Sequence, residues 1–251
     1  MPHSRFSCRA CGRCCYGMLP LSVEEALGNA NTFPLAICIT PIKTGSRGYN
    51  IAGRIGVVVD AGPKKVLSLL VFSAAFIPPS MPCPNLTSSN LCSVHERKPL
   101  RCRTMPFYAY KDEDHQSDML VPRTGWLCNT GDDAPIVYKD REIVEKCDFE
   151  AERAELIQQA PVLKRYMSLM LQYDRDAYSR ILKAASAPTP GRVVVNFISF
   201  LRFNKNLDIC DFARRQYPVL TEWLSRIRGD AKLETYSSFY RDSSSELLRY
   251  I

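Results

Sequence analysis

The sequence predicts an α+β chain, with an irregular, cysteine-rich first part holding a short hairpin and a helical second part. Three observations predict it. Ten of the eleven cysteines precede residue 150, and only Cys210 follows it. Two apolar, β-branched runs, Ile55 to Asp60 and Val66 to Phe72, flank the turn signal Ala61-Gly62-Pro63-Lys64. From about Asp140, apolar residues recur at helical spacing (Ile143, Val144, Cys147, Ala151, Ala154, Ile157) with charges between them. The 251 residues therefore divide into a cysteine-cluster part, 1–138, and a mainly helical part, 139–251.

Each element has its own signal. Ser22 followed by Glu25 forms a capping box, predicting a short helix through Asn29 or Ala30. The hairpin strands are apolar on both faces, so they are expected to be covered on both. Pro161 is expected to end the first long helix or open the next, which would run to about Ala185. The stretch Ala187-Pro188-Thr189-Pro190-Gly191 is a break. Val193 to Phe203 fits either a strand or a buried helix. Asp208 to Tyr217 and Leu220 to Ile227 read as two short helices around Pro218. The last twenty residues are polar and expected to be loosely held, with Leu247, Leu248 and Ile251 as docking points.

Composition narrows the function classes. With 46% hydrophobic and 24% charged residues, the chain is neither disordered nor fibrous. It is long enough to bury a full core, so it does not need disulfides as a small scaffold does. The longest nearly apolar run, Val66 to Ile77, falls short of the roughly 20 residues of a membrane span, so no membrane partner is expected. Met1 to Cys8 has no apolar export segment, and the expected location is a reducing cytoplasm. There, clustered cysteines bind metal or do redox chemistry more often than they cross-link. The net charge of +7 counts thiols as neutral, and bound thiolates would offset part of it. It is weak support for a nucleic-acid partner.

The cysteine spacing carries the chemistry. Cys8, Cys11 and Cys14 are each two residues apart, and Cys15 adjoins Cys14. A Cys-x-x-Cys step lets two sulfurs face one ion, and Gly12 permits a tight turn between steps. The triple step also matches the run of bacterial ferredoxins, in which three thiolates hold one iron–sulfur cluster. Neighbouring side chains diverge, so Cys14 and Cys15 are expected either to serve different sites or to leave Cys15 as a free thiol. A second set comprises Cys83, Cys92 and Cys102, with Cys128 as a last member. These eight thiols match two four-sulfur sites.

The residues Cys8 to Cys15, Cys83-Pro84-x-Leu86, and Cys92-Ser93-Val94-His95-Glu96-Arg97-x-Pro99-Leu100-x-Cys102-Arg103-x-x-Pro106-Phe107 resemble the YkgJ-type cysteine cluster family. That family carries a Cys-x-x-Cys-x-x-Cys-Cys motif and is described as a zinc- or iron-chelating domain. The resemblance spans about residues 6 to 131. His95, Lys98 and Met105 depart from its pattern, where tyrosine, arginine and phenylalanine are usual, and no cysteine is lost. Cys128 matches a looser Cys-Pro-Gly element. The resemblance implies a bound metal centre on Cys8, Cys11, Cys14, Cys15, Cys83, Cys92, Cys102 and Cys128. It also includes flagellin lysine-N-methylases, longer proteins with this kind of domain.

The expected cofactor is a four-iron iron–sulfur cluster, with zinc as the alternative; the ferredoxin-like step favours the cluster, and the wide second spacings differ from paired zinc knuckles. The expected function is redox or metal-dependent modification chemistry. Two alternatives stand beside it: a zinc-stabilised module binding a protein or peptide, and group transfer such as lysine N-methylation. Radical chemistry with S-adenosylmethionine is not expected: the spacing after Cys11 and Cys15 would need a cysteine where Met18 stands. Neither a phosphate loop nor a Gly-x-Gly-x-x-Gly motif is present in the sequence. Arg9, Arg13, Arg97, Lys98, Arg101 and Arg103 crowd the cysteines, and cations there would keep thiolates deprotonated. Phe107, Tyr108 and Tyr110 are expected to shield the centre from water. His95 is expected to make a structural hydrogen bond, and Cys38, Cys147 and Cys210 to be core residues.

Overall fold

A computed structural model describes residues 3–46, 48–60, 66–189, 191–204 and 206–251. It is mixed α and β, and its sheet is larger than the expected hairpin. Strands β1 (His3–Arg5), β2 (Leu19–Leu21), β3 (Leu35–Ile42), β4 (Val57–Asp60) and β5 (Val66–Ala75) lie in the first part with helices α1 (Val23–Gly28), α2 (Tyr49–Ile55) and α3 (Leu100–Arg103). Then come β6 (Ile136–Lys139), β7 (Glu142–Ile143), α4 (Cys147–Tyr173), α5 (Arg175–Ser186), β8 (Val193–Asn196), α6 (Phe197–Arg202), α7 (Ile209–Arg226) and α8 (Glu234–Leu247). The main sheet runs β2-β5-β3-β8, antiparallel throughout, with β4 also paired to β5. A small sheet joins β1, β6 and β7. Among the described residues no helix is long and apolar enough to cross a membrane.

The expected hairpin is β4 paired with β5, Val57 opposite Leu69 and Asp60 opposite Val66. Its turn, 61–64, lies outside the described residues. Only β5 is covered on both faces. β4 buries Val57 and Val59, while Val58 is 44% exposed, because β5 is its single partner in the sheet. The pattern missed β3, which pairs with β5 along its whole length and with β8 on its other side. β8 belongs to the helical part of the chain, so residues on both sides of position 138 build one sheet.

Side chains alternate across a strand, and here the alternation separates two cores. Leu35, Ile37, Ile39, Leu69 and Val71 face a large core completed by α5 to α8. Cys38, Phe72 and Ala74 face a second, smaller core with Phe107, Tyr110, Phe149 and Leu156. The sheet thus separates the two cores, and the cysteine-bearing segments reach both: Cys83 packs on the large core and Cys128 on the small one. Helix α4 spans both, giving Phe149 and Leu156 to the small core and Leu163, Tyr166 and Met170 to the large one.

That span explains why α4 does not stop at Pro161. It continues for 27 residues with Pro161 inside, and the break falls at Asp174, whose carboxylate accepts from the Ala177 amide at 2.9 Å. Proline inside a helix costs about 3 kcal/mol, and burying Leu163, Tyr166, Met167 and Met170 outweighs it. For the same reason Pro218 sits within the single helix α7, which buries Val219, Leu220 and Trp223 just beyond it. Val193 to Phe203 resolves into both expected structures in series. Asn196 ends β8 and caps α6, accepting from the Ser199 amide.

The last twenty residues are not loose. They form α8, where Tyr240 is fully buried and donates to the Phe76 carbonyl at 2.6 Å. Serines 237, 243 and 244 face inward because their small side chains let the helix approach closely. Leu247 docks, whereas Leu248 and Ile251 stay exposed. Cys38 is buried as expected; Cys147 and Cys210 are exposed, each lying in the first turn of its helix before the packed face begins.

Candidate metal centre

Two short antiparallel bridges hold the first cysteine run. At its start, Ser7 and Asn129 exchange both backbone hydrogen bonds, at 2.8 and 3.0 Å. The next residue pair outward is Cys8 and Cys128. At its end, Tyr16 pairs with Pro82; the Cys83 amide donates to the Cys15 carbonyl at 2.7 Å and Gly17 to Met81 at 3.1 Å. Cys15 and Cys83 are the next pair there. Directly opposed residues on adjacent strands place their Cβ atoms about 5 Å apart. The loop is therefore strung between two anchors, and each end brings one of its cysteines beside a cysteine remote in sequence.

Between the anchors the chain turns at Gly12, with φ +70°. A Cβ there would meet Asn90 Cβ and Leu86 Cδ1, each at 3.1 Å. The glycine anticipated as a turn residue thus also lets the loop lie against the 86–90 segment. That segment is itself folded back: the Leu86 amide donates to the Cys83 carbonyl, and Leu86 bridges Cys92. Cys83 and Cys92 are so brought to one turn.

Cys102 sits on α3, which is held by side chains the sequence reading did not single out for this role. Glu25 of the capping box accepts from the Leu100 amide at 2.6 Å. Arg101, buried at 6% exposure, pairs with the equally buried Glu152 at 3.1 Å and donates to the Phe107 carbonyl. Thr104 donates to the Asp148 carbonyl, and Arg103 pairs with Asp148. Two of the six expected cations are thereby engaged with carboxylates. Arg9, Arg13 and Arg97 are exposed, as is His95. Phe107 and Tyr110 are buried, and Cys128 packs against their cluster.

All eleven cysteines are free thiols. The neighbouring Cys15 thiol and burial push the Cys14 pKa up, and the neighbouring Cys14 thiol pulls that of Cys15 down. Burial pushes Cys102 up to about 12, aided by repulsion from Cys83, Cys14 and Cys92 and opposed by Arg101. Burial also raises Cys83, with Cys92 and Cys14 adding to it, and raises Cys128, with Cys11, Cys8 and Cys14 adding to it. Charge on Cys14 thus bears on Cys15, Cys83, Cys102 and Cys128. Among the described residues, no three Cys, His, Asp or Glu close around a common point as an ion's ligands. The donor set is soft and sulfur-only, which suits thiophilic ions such as zinc and iron. Buried thiolates crowded together repel, and a cation between them would relieve that repulsion. No protein-family model, no curated protein and no solved structure matches this chain.

Proposed function

We propose that the protein holds an iron–sulfur cluster, of the four-iron kind, through its clustered cysteines and acts in redox or metal-dependent modification chemistry. The likeness of the cysteine motifs to the YkgJ-type family supports this. The observation that carries it is the pair of backbone bridges, Ser7–Asn129 and Tyr16–Pro82, which set Cys8 across from Cys128 and Cys15 across from Cys83, all four of them free thiols. Free thiols suit a reducing cytoplasm.

A second reading is structural zinc supporting a protein-binding module. The cysteine-bearing stretch from 76 to 135 contains one four-residue α-helix and three short 3-10 turns among its described elements, so a metal there would supply stability that regular structure does not.

Protein purified without oxygen tests both. A brown protein with iron, acid-labile sulfide and a thiolate-to-iron absorption band is expected. A colourless protein with stoichiometric zinc would favour the second reading. Cys11→Ser and Cys102→Ser are expected to lower metal content and melting temperature. Absence of metal in the unaltered protein, or equal content and melting temperature in both variants, would overturn the proposal.

A further inference from the structure

We infer that Cys8 and Cys128 form a reversible disulfide when the protein meets hydrogen peroxide, closing the start of the cysteine loop covalently. The bond itself needs no metal. Its consequence, the withdrawal of two thiols from a metal, rests on the reading above.

The backbone carries the argument. Antiparallel pairs alternate between a wide kind, whose residues exchange both hydrogen bonds, and a narrow kind with Cα atoms about 4.5 Å apart. Ser7 and Asn129 exchange both bonds, so they are a wide pair. Cys8 and Cys128 follow them at the narrow position. A disulfide spans Cα separations of about 4.4–6.8 Å and Cβ separations of about 3.5–4.5 Å, which suits the narrow position. At the other end of the loop, Cys15 accepts from the Cys83 amide at 2.7 Å, which marks the wide kind. There the Cβ atoms stand about 5.5 Å apart, too far for an unstrained bond.

Access points the same way. Cys8 is exposed, and its sulfur accepts from the Ala10 amide at 3.4 Å, a weak bond that yields as the side chain turns toward Cys128. Cys128 is partly buried; burial raises its pKa, and charges on Cys11 and Cys8 add to that. Cys11 is a rival partner, but among the described residues no backbone bridge sets it opposite Cys128. The exposed Cys8 thiolate attacks one peroxide oxygen, the O–O bond breaks, a water leaves and Cys8 becomes a sulfenic acid. Cys128 attacks that sulfur, the S–O bond breaks, the disulfide forms and a second water leaves. The two thiols give up two electrons to the peroxide, and their protons end in the two waters. A dithiol reductant reverses the step by exchange.

Peptide mapping tests this on the full-length protein, reduced, freed of reductant, treated with hydrogen peroxide and then blocked with iodoacetamide. Trypsin cuts after Arg5, Arg9, Arg123 and Lys139, so Cys8 lies alone in peptide 6–9 and Cys128 alone in peptide 124–139. These two peptides are expected to be joined, with two free thiols lost per molecule and both regained on adding dithiothreitol. Cys8→Ser and Cys128→Ser are each expected to abolish the joined pair, and Cys83→Ser to keep it. A main product joining 10–13 to 124–139, or 14–43 to 66–97, would overturn the inference. So would a treated protein in which no two peptides of one chain are joined. Metal content of the untreated protein separates the two readings. The joined pair in a protein without metal leaves the disulfide standing and removes the metal; metal without the joined pair does the reverse.

Discussion

The large core and the cysteine segments are built on different principles. In the core, Leu35, Ile37 and Ile39 of β3 pack on helices whose buried residues include Phe200, Phe212 and Trp223. Order there comes from apolar area removed from water, roughly 25 cal/mol per Å². The cysteine segments, by contrast, have little regular structure and are held through single bridges, one clamped helix and one glycine turn. The first region tolerates exchange of its polar surface but not of its volume. The second depends on a handful of polar and sulfur contacts, each of which positions something.

Three substitutions break or sharpen that contrast. The largest expected effect is that of Phe200→Ala, which empties a fully buried site in the large core. It is expected to cost about 3–5 kcal/mol in denaturant unfolding while metal bound per folded molecule stays constant. A fall in metal content at unchanged stability would erase the distinction between the regions. Glu152→Ala lies at their border and comes next. It leaves Arg101 buried without its carboxylate, at an expected cost of about 3 kcal/mol. Because Arg101 precedes Cys102, metal content is also expected to fall, and Glu152→Gln, which keeps a hydrogen-bond acceptor, is expected to restore part of it. The smallest effect is expected for Cys147→Ser and Cys210→Ser. Both thiols are exposed and lie outside the cysteine motifs, so stability should move by less than about 0.5 kcal/mol and metal content not at all.

Local chemistry was legible in the sequence where one segment decides its own conformation. The Ser22–Glu25 capping box closes as its spacing demands, with the Glu25 amide 3.1 Å from the Ser22 hydroxyl. Gly12 turns with positive φ, and β4 pairs with β5. Legibility failed where a distant partner intervened. Pro161 and Pro218 read as helix ends, but buried residues downstream keep α4 and α7 whole. The polar C-terminus read as loose, yet Tyr240 finds the Phe76 carbonyl. Cys147 and Cys210 read as core from helical spacing, which does not say which face is covered.

The sequence by itself determined the thiol inventory, the turn at Gly12, the cap at Ser22 and the strand character of the β4–β5 runs, because each depends on neighbours within a few residues. Tertiary structure alone decided that β3 would be central, that β8 from the helical part would complete the sheet, and that Ser7 would bridge Asn129 while Tyr16 bridges Pro82. Those pairings are set by backbone hydrogen bonds and buried area between segments more than sixty residues apart. No local preference along the chain encodes them.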